Sequence, residues 1–467
     1  MTRAGTFDGW FLPPGARADG ETPVGLPNAD WVRRLEWDPA AARMLLDTLR
    51  GARADALLGR TAAERARMLG RAGARFLDPA DPLRIEAEAR VAADSKLSTP
   101  MARAVIQGMA RDWTAERLQD LLTAELPDAR ALEEFVTGVH GARTRAFGPE
   151  LALHVGSGTV PGVSATSLLR SLLVGSATLV KPGAGDVVLP VLLARALAEE
   201  APELARACAV VYWEGGADDA LEQAAIADAD LIVAYGGDAT VRALRERAPA
   251  TTPVLAYHHR VSVALVGRGA LRRTTLIGVA DDLARAVAMF DQRGCVSPHA
   301  VFVERGGEIG PEELAAALAA ALGRVERELP PGAPDPAQAS DLHQLRRTAE
   351  LRAAAGEPVV VHAGAGWTVL LEPPAELELS CLGRTVRVHP VDDARVVPAL
   401  LERWRRHLQT VGVAGLDDRL GEVAEGLGRA GATRICGLAD VAFPPPWWHH
   451  DGRGPLTSLL RWVDLEG

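Results

Sequence analysis

Cys295 lies in the run Asp291-Gln292-Arg293-Gly294-Cys295-Val296-Ser297-Pro298. An apolar helical stretch, Leu283 to Phe290, precedes it, and a strand-like run, Ala300 to Val303, follows. A thiol on a glycine turn can be held at the wall of a cleft with backbone N–H groups around it. A nucleophile that attacks a carbonyl needs both things, access and donors for the oxyanion that forms. For an isolated cysteine the plainer reading is a small buried apolar side chain, so the other polar features decide. Lys181 is one. Of 51 basic residues only Lys96 and Lys181 are lysines, so the chain takes arginine almost wherever a positive charge will do. Lys181 ends the strand-like Thr178-Leu179-Val180-Lys181, and ligands of open α/β sheets bind beyond strand carboxyl ends. An ammonium there can hydrogen-bond a ribose or pair with a phosphate; the alternative is an exposed loop lysine, and lysine scarcity favours function. Two glycine turns complete the set. Gly156 to Gly162 joins a strand to a helix, where backbone N–H groups favour an anion or oxyanion, although a tight structural turn explains it about as well. Gly236-Gly237-Asp238-Ala239-Thr240 opens another helix and suits a pyrophosphate or a ribose. No turn matches GxGxxG, so the usual Rossmann fingerprint is absent.

Regular elements must hold these groups. From Pro39 to Leu126 the apolar spacing is helical, as in Ala42-Leu45-Leu46-Leu49, and Ser98-Thr99-Pro100 reads as a helix start. Residues 1 to 30, rich in Gly and Pro, read as an irregular arm. From Leu151 the pattern alternates: strands at 151–155, 178–181, 209–213 and 231–235, with helices at 164–174, 187–199, 218–227 and 239–246. That alternation implies a parallel α/β sheet of dinucleotide-binding type. A second α/β unit starts near Val261, with strands at 263–266, 300–303, 359–361, 368–371 and 385–388, helices at 282–290 and 311–328, and a loop at 329–340.

Composition sets limits on the function class. The 467 residues exceed one core, so two or three domains are expected. A net charge of -10 without a clustered basic patch argues against nucleic acid. No apolar run reaches membrane-spanning length, and Met1 to Pro14 has no secretion-signal pattern. Cys208, Cys295, Cys381 and Cys436 are scattered without a CxxC pair, which fits a cytoplasmic location and gives no metal set. Cys208, Cys381 and Cys436 read as structural.

Val180-Lys181-Pro182-Gly183, Gly236-Gly237 and Gln292-Arg293-Gly294-Cys295 stand in the order and spacing of the aldehyde dehydrogenase superfamily, and the chain resembles its LuxC-type acyl-CoA reductase branch. Segments Gly158 to Ser164, Ser167 to Leu173, Leu408 to Gly412, and Trp448-His449-His450-Asp451-Gly452 on to Asp464 carry that likeness. It extends from about Arg145 to the C-terminus and is weak over the first hundred residues. The resemblance implies an aldehyde dehydrogenase-like α/β fold: an arm and helical layer at 1–130, a Rossmann-type cofactor domain at 131–260, a catalytic domain at 261–440, and a C-terminal segment at 441–467. It implies Cys295 as the acyl-carrying nucleophile, with Thr159 and Gln292 placed beside it as catalytic candidates. Lys181, Gly158, Gly236 and Gly237 would bind a nicotinamide cofactor, NADPH before NADH. The acyl donor would be acyl-CoA or an acyl-carrier-protein thioester. A homo-oligomer is allowed, and the sequence sets no oligomeric state.

Two departures from the superfamily matter. Its oxyanion loop usually carries an asparagine amide where this chain has Thr159, and losing one such donor costs about 100- to 1000-fold elsewhere. Ser157 or the Cys295 backbone N–H could compensate. Its hydrolytic members place a glutamate base where Ala256 falls, so an acyl-enzyme here should outlast water and await a hydride or another thiol. His258 or His259 could act as acid or base, or simply end a polar strand; a metal role is less favoured, because adjacent strand residues point to opposite faces. Trp447 and Trp448 read first as packing and second as an acyl-pocket lining. An NAD(P)-dependent aldehyde dehydrogenase, or a catalytically impaired scaffold, stays open beside the reductase.

Overall fold

Leu151–Val155 and Ala177–Lys181 are buried at every position, as strands covered on both faces must be. They are the centre of a six-stranded sheet in the computed structural model, which describes residues 5–17, 20–26, 29–138, 141–216, 219–373 and 377–466. Its order is Val254–Tyr257, Leu231–Tyr235, Leu151–Val155, Ala177–Lys181, Cys208–Val211 and Trp10–Phe11. All neighbours are parallel except the last pair. Parallel strands need long crossovers, supplied here by helices Val163–Leu173, Val188–Glu200 and Ala220–Asp228 and, before the edge strand, Asp238–Arg247. The strand residues expected at Tyr212 and Trp213 lie past the end of Cys208–Val211. Of the helix expected at 218–227, Asp218 lies outside the described residues.

The chain divides into two compact units: 1–96, 102–258 and 445–467 in one, 97–101 and 259–444 in the other. The first unit therefore includes the helices of the N-terminal third and most of the C-terminal segment. Helix Pro39–Arg53 is capped by Asp38, whose carboxylate accepts the Ala41 N–H, and it buries Leu45, Leu46 and Leu49. Helix Ala62–Ala74 starts with a Thr61/Glu64 capping box. A Cβ at Gly73 would overlap the Trp113 carbonyl, so glycine is what lets these segments touch. Arg65, only 1% exposed, donates to the Leu173, Leu57 and Arg60 carbonyls; burial lowers its pKa to about 10, and it stays charged.

The expected irregular arm is corrected. Phe7–Asp8, Trp10–Phe11 and Gly20–Leu26 are strands, and Trp10–Phe11 pairs with Cys208–Val211. The Gly/Pro content hid aromatic anchors: Phe7 is buried, with the Arg90 and Arg195 guanidinium groups each 5.1 Å from its ring centre.

In the second unit seven strands run in the order Val360–Ala363, Thr368–Leu371, Thr385–Val391, Pro298–Glu304, Val261–Val266, Leu408–Ala414, Arg434–Gly437. Only the first is antiparallel to its neighbour. Helices Leu276–Ala288, Pro311–Glu328 and Pro336–Ala354 accompany it. Two expectations change here. The loop at 329–340 gives way to a helix from Pro336, because Asp335 accepts the Ala337 N–H and Pro336 sits at the first turn. The helix expected to reach Phe290 ends at Ala288, because the following residues turn left-handed.

Candidate active site

Phe290, Asp291 and Gln292 have φ of 57°, 52° and 63°, three consecutive non-glycine residues in the left-handed region. Such residues are strained and persist only where their surroundings over-determine them. Here the surroundings do. Gln292 Nε2 donates to the carbonyls of Pro298 (2.8 Å) and Thr385 (2.6 Å), and its Oε1 accepts the Thr385 N–H (2.8 Å). Asp291 accepts from Arg384 through Nε (3.1 Å) and Nη2 (2.6 Å), and from the Gly332 N–H (3.0 Å). The Phe290 ring meets Phe443 edge-on at 5.3 Å. The chain then closes a tight turn, Ser297 N–H to the Gly294 carbonyl at 2.9 Å, and Ser262 Oγ donates to the Cys295 carbonyl at 2.7 Å. Cys295 is half-buried between buried neighbours Gly294 and Val296.

Burial pushes the Cys208 thiol up to about 12 and also raises Cys381 and Cys436. No disulfide joins any of the four. Gln292, placed with Cys295 among the catalytic candidates, is 1% exposed with both ends of its amide taken by backbone. In this structure its amide fixes the turn and has no donor left over for a substrate.

Cys295 and Gln292 belong to the second unit; Thr159, Gly158, Lys181, Gly236 and Gly237 belong to the first. There the parallel register aligns Val155 with Lys181, and Ala234 with Val155. The Gly156 loop, Lys181 and the Gly236-Gly237 turn therefore share one sheet edge. Lys181 is 9% exposed, its ammonium 5.6 Å from the Tyr212 ring centre, with no hydrogen-bond or ion-pair partner among the described residues. Burial lowers its pKa and Glu222 opposes that. A buried cation of this kind suits a ribose hydroxyl or phosphate from outside the chain.

The glycines divide into two kinds. A Cβ on Gly158 would overlap the Ala184 carbonyl, and one on Gly183 would overlap the Gly158 N–H, so these glycines serve contact between two loops. A Cβ on Gly237 would meet nothing within 4 Å. Gly237 caps helix Asp238–Arg247, whose first N–H groups are available to an anion. The helix after the first loop is already served. Asp186 accepts the Gly162 N–H (2.6 Å) and the Ser164 N–H (2.9 Å) from a fully buried position. Burial outweighs these bonds and raises its pKa to about 7, and nearby Asp94 adds to the rise. Asp94 accepts the Val187 and Val188 N–H groups, and burial raises it to about 6. Thr159 is exposed, its hydroxyl 3.1 Å from that of Ser157. Ala256 is 2% exposed and pairs in register with Ala234. His258 Nδ1 lies 3.4 Å from the Asp238 carboxylate.

The family model described as Acyl-CoA reductase (LuxC) matches residues 67–462. This chain belongs to the LuxC acyl-CoA reductase family. It is an aldehyde-forming oxidoreductase acting on acyl thioesters. Long-chain acyl-protein thioester reductase 2 of Photobacterium leiognathi is 23% identical over 356 residues, 75% of this chain and 70% of that protein. The Photorhabdus luminescens reductase is 25% identical over 352 residues, with the same two shares. Among solved structures, a putative methylmalonate-semialdehyde dehydrogenase from Sinorhizobium meliloti superposes with TM-score 0.72 at 12% identity, covering 99% of this chain and 98% of that one. A benzaldehyde dehydrogenase from Corynebacterium glutamicum gives 0.70 at 16%, covering 98% and 96%. The fold is that of aldehyde dehydrogenases.

Sequence reasoning read Trp447 and Trp448 first as packing, and missed the aromatic stack that Trp448 joins in this LuxC-family chain. Trp448, His450, Tyr257 and Tyr235 form one stack, with ring centres 4.7, 4.5 and 4.7 Å apart in turn. Arg117 covers Trp447 at 4.4 Å. Both tryptophans are thus packed within the first unit. The repeated aromatics of 447–450 were the available signal.

Proposed function

We propose that this chain reduces an acyl thioester, delivered on coenzyme A or a carrier protein, to the aldehyde with NADPH, through an acyl-enzyme on Cys295. The observation that carries the proposal is the Cys295 turn: a half-buried cysteine that follows a left-handed run, Phe290 to Gln292, anchored by Gln292 and Asp291. Strain held this firmly is characteristic of functional sites. The Cys295 sulfur attacks the thioester carbonyl, and the donor thiol leaves with a proton. When bound, the nicotinamide supplies the hydride that takes the acyl carbon to the aldehyde level. The resulting thiohemiacetal on Cys295 collapses, returning the thiol and freeing the aldehyde.

Thr159 carries a hydroxyl where the superfamily has an amide, 3.1 Å from that of Ser157. Lys181 and the open Gly237 helix terminus hold the cofactor. Asp186 weakens little of the NADPH reading: its buried carboxylate is turned to the Gly162 and Ser164 N–H groups, and burial raises its pKa to about 7, which lessens its charge against a 2′-phosphate near Lys181. Ala256 supplies no base for water, so free acid forms slowly. Among the described residues no helix is long and apolar enough to cross a membrane. We place the protein in the cytoplasm.

The test is Cys295→Ala with acyl-CoA and NADPH. Acyl loading seen by mass spectrometry and aldehyde formation should both vanish while cofactor binding persists. Turnover near wild type would overturn the assignment. Free acid released by the wild type faster than aldehyde would replace the reductase reading with a hydrolytic or oxidative one.

A further inference from the structure

The strand edge beside the Cys295 turn carries a feature that the reaction above leaves unused. Ser262 Oγ, which donates to the Cys295 carbonyl, also accepts the Thr410 N–H at 3.1 Å. Thr410 is paired in register with Arg434, the first residue of strand Arg434–Gly437. The turn, Ser262, Thr410 and Arg434 thus form one row across the amino-terminal edge of this sheet. Neighbouring strands are about 4.8 Å apart, so an arginine two strands from Ser262 can reach back along the row. Its guanidinium is fixed: Nη1 donates to the Val441 carbonyl (2.9 Å) and Nη2 to the Asp440 carbonyl (2.5 Å). Burial lowers the Arg434 pKa, while Cys436, Asp440 and Cys295 each act to raise it, so all three lie within electrostatic reach. A guanidinium remains charged throughout the working range. Of the other charges at the turn, Asp291 pairs with Arg384, while Arg293, whose Nε donates to the Phe290 carbonyl, is a second cation two residues from Cys295 that stays in place in every Arg434 variant.

We propose that Arg434 is a positioning residue, a fixed cation that favours the thiolate form of Cys295. This rests on Cys295 being the nucleophile. Thiolate is the attacking species, and neighbouring arginines stabilise it. Tethering by two carbonyls holds the charge in place without the flexibility of a surface side chain.

The experiment follows iodoacetamide alkylation of Cys295 in the full chain by peptide mass spectrometry, from neutral to alkaline pH. Wild type, Arg434→Gln and Arg434→Lys are compared. In Arg434→Gln the alkylation midpoint should rise by about one pH unit or more. Acyl loading at neutral pH should fall about tenfold and recover in alkali. Arg434→Lys should lie between. A purely structural arginine would lower the thermal transition without moving the midpoint. An unmoved midpoint in a variant folded by circular dichroism overturns the proposal. If Arg434→Gln does not fold, Arg434→Lys decides by the same readout. Turnover surviving in Cys295→Ala would instead defeat the nucleophile assignment, and the alkylation comparison would still report on Arg434.

Discussion

Replacing Gln292 by methionine keeps the side chain's length and removes its amide. Three hydrogen bonds go at once: two donated to Pro298 and Thr385, and one accepted from Thr385. Pro298, Thr385 and Gln292 are all buried, so water does not replace the lost partner. A net contribution of about 1 kcal/mol per bond gives a loss of about 3 kcal/mol, and about twice that if the abandoned backbone groups stay dry. Against this stands the left-handed run Phe290-Asp291-Gln292, which costs about 1–2 kcal/mol per residue, or about 3–6 kcal/mol in all. The two quantities are of similar size. Without the amide, the Asp291 bonds to Arg384 and Gly332 and the Phe290–Phe443 contact are left to oppose the strain, and the balance tips toward a relaxed turn.

The expected result has two parts. Hydrogen exchange at 289–298 should become much faster in Gln292→Met, and acyl loading of Cys295 should fall with it. The global transition should drop by less than the bond count suggests, because relaxation of the turn returns strain energy. If Gln292 instead contacted substrate, the variant would lose activity with wild-type exchange at 289–298, and that result would refute a positioning role.

Lys181→Met should weaken NADPH binding about 10- to 100-fold, the loss of a charge-assisted hydrogen bond, and weaken NADH binding less. Equal losses in a fluorescence titration would contradict the phosphate pairing. Asp186 and Asp94 set a pH dependence. Both carboxyls have folded pKa values raised above their unfolded ones, to about 7 and about 6, mainly by burial. Their neutral forms are therefore favoured in the folded state, and this contribution is full below about pH 4 and is lost as pH rises toward 7. Asp186→Asn should flatten the thermal midpoint's pH profile over that window; an unchanged profile would show that Asp186 does not titrate there.

Much of the architecture was legible because its signals are local. Pro311–Glu328 has helical spacing and an N-terminal Pro, and Thr368–Leu371 is a short apolar run; both fall where the sequence places them. Leu408–Ala414 was missed as a strand because Gln409 and Thr410, fully buried, interrupt its apolar pattern. The left-handed run before Cys295 was illegible for another reason. No residue in Phe290-Asp291-Gln292 prefers positive φ strongly, and what enforces it lies at Arg384 and Thr385, distant in sequence.

The glycines show where reading a site from sequence stops. A glycine admits close approach by something, and sequence does not say by what. At Gly158 and Gly183 the approaching group is the chain itself, and at the Val163 helix terminus Asp186 already occupies the position an anion would take. Open space remains at Gly237, and a buried ammonium at Lys181. Lysine scarcity singled out Lys181, which the structure buries, because composition is a whole-chain property. The glycine loops carried no such background, so loop-on-loop packing and ligand cradle looked alike until the backbone was placed.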